Sequence, residues 1–252
     1  MEFKVFGGAA LVLLVLAGVS WTGRCDGLKP LGWLPDHTSL TGRRRALWRA
    51  VLALGAAFVI LGALTQLTHV AAVDREAVRL FYRSGDLQAT QFMNWISGAG
   101  GRDLALRWVP AILLLLLLTR RAHCLRFFSF TMLGALALES LFKPLFHRLR
   151  PDIAGRDNFD SFPSGHTLAA TVLALTVLVI FLPACRRNWH RWGLAAGLAS
   201  WPLLMAVSRV YLGAHFPTDV AGGLLLGTTW VCACMLIVSR GGTTPRPSEA
   251  AA

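Results

Sequence analysis

KPLFHRLRPD, residues 143–152, closes an apolar run that begins near residue 125, and it places Lys143, Arg148 and Arg150 within eight positions. Fixed positive charge is costly beside hydrocarbon, so such a cluster marks either a functional site or an anchor at the lipid boundary. The run before it is one of several. Stretches approaching the roughly 20 apolar residues that cross a bilayer lie at about 3–21, 47–70, 104–119, 125–145, 164–183, 193–212 and 218–238. Of the 252 residues, 55% are hydrophobic and 15% charged, with a mean hydropathy of +0.55. This balance excludes an ordinary soluble domain and reads as an integral membrane protein.

The expected fold is all-α. A six-helix transmembrane core occupies residues 47–238, a hydrophobic helix and a basic connector precede it over 1–46, and a disordered cytoplasmic tail follows over 239–252. The first run, FKVFGGAALVLLVLAGVSW, reads as an extra membrane helix rather than a secretory signal, because no small-residue cleavage pattern closes it. The formal charge of +12 sits in short clusters between apolar spans, which fits anionic lipid as a neighbour and not nucleic acid. Cys25, Cys124, Cys185, Cys232 and Cys234 form no C-x-x-C pair, and read as unpaired thiols.

Basic loops tend to remain in the cytoplasm. RRRALWR (43–49), RRAHCLR (120–126) and RRNWHRW (186–192) alternate consistently with the six core spans. The connections 146–163 and 213–217 therefore emerge on the outer face, which in a bacterial inner membrane is the periplasmic one.

Three polar clusters sit in or beside those two outer connections: Lys143 with Arg150 and Pro151; Pro163, Ser164, Gly165 and His166; and Ser208 and Arg209 followed by His215 and Asp219. The antiparallel turns bring all three to one membrane depth. Lys143, Arg150 and Arg209 are donors without acceptors, and guanidinium forks match phosphate oxygens in pairs. Gly165 permits close backbone approach at a helix start where N–H groups favour an anion, with Ser164 at the N-cap. His215, with Asp219 at i+4 to fix its tautomer, has the makings of a nucleophile, and His166 of a proton donor to the leaving oxygen. The chemistry indicated is phosphoryl transfer.

Other polar residues receive plainer readings. Arg148 and Arg156 are expected as interfacial anchors, His147 as a structural or solvated histidine, and Asp157 and Asp160 as solvated surface charge. Glu139, four residues before Lys143, either holds that ammonium or makes an incidental interhelical pair.

Lys143, six residues, then Arg150-Pro151; Pro163-Ser164-Gly165-His166; Ser208-Arg209, five residues, His215, three residues, Asp219: this sequence of motifs resembles the three-part signature of the type 2 phosphatidic acid phosphatase superfamily. The resemblance covers about 47–238. It implies that Lys143, Arg150, Ser164, Gly165 and Arg209 bind phosphate, that His215 forms a phosphohistidine supported by Asp219, that His166 protonates the leaving group, and that neither metal nor cofactor is needed. Soluble vanadium haloperoxidases share the signature, but membrane-length helices point to the lipid phosphatase branch. The short connection DIAGRDNFDSF (152–162) suggests an open site without a large lid. The leading substrate expectation is undecaprenyl diphosphate. Phosphatidylglycerol phosphate, phosphatidic acid and lipid A phosphates are alternatives, as is transfer to a second lipid. A non-enzymatic lipid binder or transporter has no use for His215, Asp219 and His166 together.

Overall fold

The structure, a computed structural model, describes residues 40–82, 86–101, 107–152, 160–185 and 187–239. The apolar run at 3–21, Cys25, Arg156, Asp157 and the tail from Gly241 lie outside the described residues. Every regular element among the described residues is helical: α1 (Leu40–Leu64), α2 (Thr68–Phe81), α3 (Leu87–Gly100), α4 (Val109–Leu118), α5 (Ala122–Phe146), α6 (Gly165–Phe181, extended by a 3₁₀ turn at Leu182–Ala184), α7 (Asn188–Tyr211) and α8 (Pro217–Ser239).

Five helical stretches, Arg44–Leu64, Ala122–Phe146, Gly165–Ala184, Asn188–Tyr211 and Pro217–Val238, are long and apolar enough to cross a membrane. They recover five of the six expected core spans. The sixth, expected at 104–119, is represented by the ten residues of α4, continuous with a π turn at 107–108. Leu52, Val59, Leu118, Leu141 and Leu203 stay exposed on these helices. Surfaces of this kind face lipid, where helix packing relies on fit rather than on escape from water.

Two helices, α2 and α3, have no counterpart among the expected spans. The run placed at 47–70 ends at Leu64, where Thr65 turns the chain by donating its hydroxyl to the Gly62 carbonyl at 2.7 Å. Apolar residues continue past the turn on one face of α2, so composition does not mark the break. α2 carries Asp74, Arg75, Glu76 and Arg79 within 14 residues and buries only Asp74 and Val78, one turn apart. That is an amphipathic helix lying against the bundle, invisible to a search for membrane-length runs. α3 buries Ile96, Ser97, Ala99 and Gly100 against α6 and α7.

α6 is the central helix, with neighbours α5, α7 and α8, while α1 runs along α8. One end of the bundle is tied by aromatic rings. Phe162, fully buried, stacks on Phe58 of α1 at 5.5 Å and meets Phe146 of α5 edge-on at 4.9 Å. Such ring pairs add about 0.5–1.5 kcal/mol each beyond the area they bury. At the same end the Gln66 amide donates to the Phe146 carbonyl at 3.0 Å, and the Ser161 N–H donates to the Arg148 carbonyl at 2.6 Å. The C-terminal ends of α1, α5 and α7 and the N-terminal ends of α6 and α8 therefore meet there, which places all three polar clusters together.

Candidate active site

The spacing between Arg209 and His215 has a local cause. α7 stops at Tyr211, and Gly213 adopts a left-handed φ of 61°. That conformation carries almost no penalty for glycine. The chain then folds back so that the N–H groups of Ala214 and His215 both donate to the Arg209 carbonyl, at 3.0 and 3.3 Å. The backbone of His215 is thereby pinned to that of the arginine six positions before it.

Asp219, in the first turn of α8, receives the ring. His215 Nδ1 lies 3.5 Å from Asp219 Oδ2 and 3.3 Å from the Ser161 hydroxyl. The same Oδ2 accepts from the Phe216 N–H at 2.9 Å and from Ser161. With Nδ1 turned to the carboxylate, Nε2 is the nitrogen presented to the site. His215 lies in the turn between two spans and is fully buried; burial is the first cause of a pKa lowered to about 4, with Asp219 opposing and the charges of Arg209 and Arg150 adding to it. The ring is thus neutral at pH 7, the form able to attack.

The other motif residues surround this pair. His166, one residue inside α6, is acted on electrostatically by Arg209, Lys143, Arg150 and the His215 ring, so four separate segments bear on one imidazole. Arg209 is buried and donates through Nη1 to Ser97 of α3. Lys143 pairs with Glu139 at 2.5 Å, which resolves the two readings of Glu139 in favour of holding the ammonium. The Glu139 carboxylate also lies over the start of α6: a Cβ at position 165 would come within 2.0 Å of Oε1, so a larger residue there would displace the carboxylate. Ser164 occupies the N-cap position of α6, but its hydroxyl makes no capping bond. It accepts from Thr167 at 3.2 Å instead, and its N–H donates to the Asp219 carbonyl at 3.0 Å.

Arg148 corrects the sequence reading. It is no interfacial anchor: 8% exposed, it donates to Asp219 Oδ1 at 2.6 Å, to the Thr218 hydroxyl at 2.5 Å and to Asp74 Oδ2 at 2.5 Å. Its guanidinium lies 4.4 Å from the centre of the Phe216 ring. The anchoring rule failed because the partner, Asp74, stands 74 residues earlier on a helix that composition did not reveal. Ser161, Thr218 and Ser97 were likewise missed, since an isolated hydroxyl carries no spacing signal. His147 ends α5 in a left-handed conformation (φ 44°), is exposed, and stands 3.7 Å from Asp160, in keeping with its structural reading. Among the described residues Cys124, Cys185, Cys232 and Cys234 are free thiols, as expected.

Comparison with known proteins agrees with this geometry. Residues 125–242 match the PAP2 superfamily. Phosphatidylglycerophosphatase B of Bacillus subtilis is 38% identical over 95 residues, 36% of this chain and 46% of that protein, so the match spans just under half of that relative. Decaprenylphosphoryl-5-phosphoribose phosphatase of Mycobacterium tuberculosis is 33% identical over 136 residues, 42% of this chain and 68% of that protein. The crystal structure of a transmembrane PAP2 type phosphatidylglycerolphosphate phosphatase from Bacillus subtilis superposes with a TM-score of 0.65 at 25% identity, covering 73% of this chain and 94% of that one. Motif order, helix arrangement and relatives point the same way, and the chain belongs to the PAP2 superfamily.

Proposed function

We propose that the protein is a membrane lipid phosphatase that works through a phosphohistidine at His215. The observation that carries this reading is the buried His215 ring, with Nδ1 3.5 Å from Asp219 Oδ2 and the charges of Arg209 and Arg150 acting on it. Lys143, Arg150, Arg209 and the backbone at Ser164 and Gly165 hold the phosphate oxygens. His215 Nε2 attacks phosphorus; the N–P bond forms as the bond to the lipid oxygen breaks, and His166 supplies the proton that the departing oxygen takes up. Asp219 balances the charge on the ring. Water then attacks the phosphohistidine, giving its proton to His166, and the N–P bond breaks to release inorganic phosphate and restore His215.

The substrate we favour is a diphosphate lipid of the undecaprenyl diphosphate kind. A cavity of about 470 Å³ lined by Arg75, Arg79, His147 and Arg150 opens beside the phosphate-binding motif and offers a place for a second phosphate. A second, mostly apolar cavity of about 290 Å³ lies between α4, α5 and α6, with Leu113, Met132 and Leu168 on its walls and Glu139 on its polar side. It suits part of a lipid tail. Phosphatidylglycerol phosphate is the second reading, favoured by the superposition on the Bacillus subtilis phosphatase. The positive loops at 43–49, 120–126 and 186–192 support an inner-membrane protein with the site on the periplasmic face.

The experiment is phosphate release by the detergent-solubilised protein from a panel of undecaprenyl diphosphate, phosphatidylglycerol phosphate, phosphatidic acid and lipid A, with His215→Ala beside the wild type. Release from at least one lipid, abolished in the variant, is expected. Turnover retained in a folded His215→Ala protein would contradict the assignment, and phosphate recovered on an added lipid acceptor instead of in solution would identify a transferase.

A further inference from the structure

We propose that Arg148 is a positioning residue for Asp219, and that Asp74 on α2 holds Arg148 to that task. The inference rests on His215 being the nucleophile, and it assigns a role to a helix outside the motif-bearing segments. Arg148 stands two residues before the motif arginine at 150, yet both of its terminal nitrogens are taken up by neighbouring side chains. Nη1 reaches Asp219 Oδ1 at 2.6 Å and Thr218 at 2.5 Å; Nη2 reaches Asp74 Oδ2 at 2.5 Å. Asp74 closes the ring of contacts by accepting from the Thr218 hydroxyl and, at 3.3 Å, from the Thr218 N–H. The Phe216 ring at 4.4 Å fixes the guanidinium plane from one side. Each of the three charged groups is less than one-tenth exposed.

The consequence is geometric. A carboxylate held by one partner can rotate about its Cβ–Cγ bond, whereas Asp219 has one oxygen clamped by Arg148 and only Oδ2 left for Ser161, the Phe216 N–H and His215. Arg148 thereby sets the direction in which Oδ2 meets Nδ1. A lysine, with one point charge, cannot span two carboxylates as the planar fork does. The arrangement is also one of charge. Two buried carboxylates share one guanidinium, leaving a single net negative charge beside a ring that gains positive charge as the N–P bond forms. Removing Asp74's charge releases Arg148 to swing and weakens its hold on Asp219 without emptying the position.

The test compares wild type, Asp74→Asn, Arg148→Lys and, as a control on the same helix, Glu76→Gln, whose carboxylate is exposed and pairs with Arg79. Steady-state hydrolysis of the lipid phosphate is measured together with the ¹⁵N spectrum of labelled histidine in micelles, with thermal unfolding to establish that each variant is folded. Asp74→Asn is isosteric and leaves the Arg148 and Asp219 side chains themselves unchanged, so it remains informative where Arg148→Lys fails to fold. Both variants are expected to lower kcat by about 10- to 100-fold, the range seen when the partners that orient a metal-bound histidine are removed. KM stays within about twofold, the His215 Nδ1 signal moves, and Glu76→Gln behaves as wild type. A folded Asp74→Asn protein with unchanged kcat and an unchanged His215 signal overturns the proposal. A moved His215 signal in a protein whose wild type hydrolyses no lipid phosphate supports the positioning role and defeats the phosphatase reading instead.

Discussion

Replacing Asp219 with asparagine exchanges one oxygen for an amide nitrogen and removes one charge, and the contacts around it decide how the new side chain must sit. Oδ1 accepts from Arg148 at 2.6 Å, and a guanidinium can only donate. The amide oxygen must therefore take that side, which turns the NH₂ toward Ser161, the Phe216 N–H and His215 Nδ1. The Ser161 hydroxyl can reverse and accept, but the Phe216 N–H at 2.9 Å loses its acceptor, at a cost of about 1–3 kcal/mol for an unsatisfied buried donor. An NH₂ facing Nδ1 favours the tautomer that carries its proton on Nε2, the nitrogen proposed to attack. In the serine protease triad the same substitution, by the same tautomer argument, costs about 10⁴ in kcat. Applied here that is about 5 kcal/mol of barrier at 1.36 kcal/mol per decade. The assay is initial phosphate release from a lipid phosphate in detergent, with thermal unfolding alongside to show that Asp219→Asn remains folded. A folded variant within tenfold of wild-type kcat would refute the claim that Asp219 fixes the tautomer of His215.

Arg209→Ala removes a buried donor from the proposed phosphate site and is expected to lower kcat/KM by about 3–4 kcal/mol in transition-state stabilisation, by analogy with lost oxyanion donors; an effect below tenfold in a phosphate-release assay counts against its role. The depressed pKa of His215 also predicts a pH dependence of stability. The unfolded ring takes up a proton below about 6.5 and the folded one only near 4, so the unfolded state binds more protons between these values and stability falls as pH drops through that window, by on the order of 2 kcal/mol between pH 7 and pH 5. Unfolding midpoints of wild type and His215→Gln at both pH values check this; an equal pH slope in the two proteins contradicts it. Phe162→Ala empties a fully buried position between Phe58 and Phe146 and is expected to cost about 3–5 kcal/mol, read as a lowered unfolding temperature; a shift near zero shows that the rings do not hold that end of the bundle together.

The parts of this molecule legible in its sequence are those with a period or a spacing. Membrane-length apolar runs need no partner to be recognised, and five of them stand where composition places them. The cluster of Lys143, Arg150, His166, Arg209 and His215 follows from knowing which loops share a face, since antiparallel neighbours bring those loops together whatever the packing detail. α2 was illegible because its half-polar surface resembles a loop when only hydropathy is read, although Asp74 and Val78 at i and i+4 mark its buried stripe. Arg148 failed for a related reason. Whether an arginine snorkels or goes inward depends on a buried acid being present, and that acid is far away in the chain. Glu139 and Lys143, by contrast, are neighbours on one helix, so their pairing could be written down from the spacing of four alone.

The central claim is that His215 carries the phosphoryl group. Rapid acid-free quenching of the protein with a ³²P-labelled lipid phosphate, followed by peptide mapping, tests it most directly. The account predicts label on the peptide containing His215, labile to acid and stable to alkali as a phosphoramidate, and absent from His215→Ala. Label on another residue, or turnover of the lipid with no labelled protein at any quench time, would contradict it.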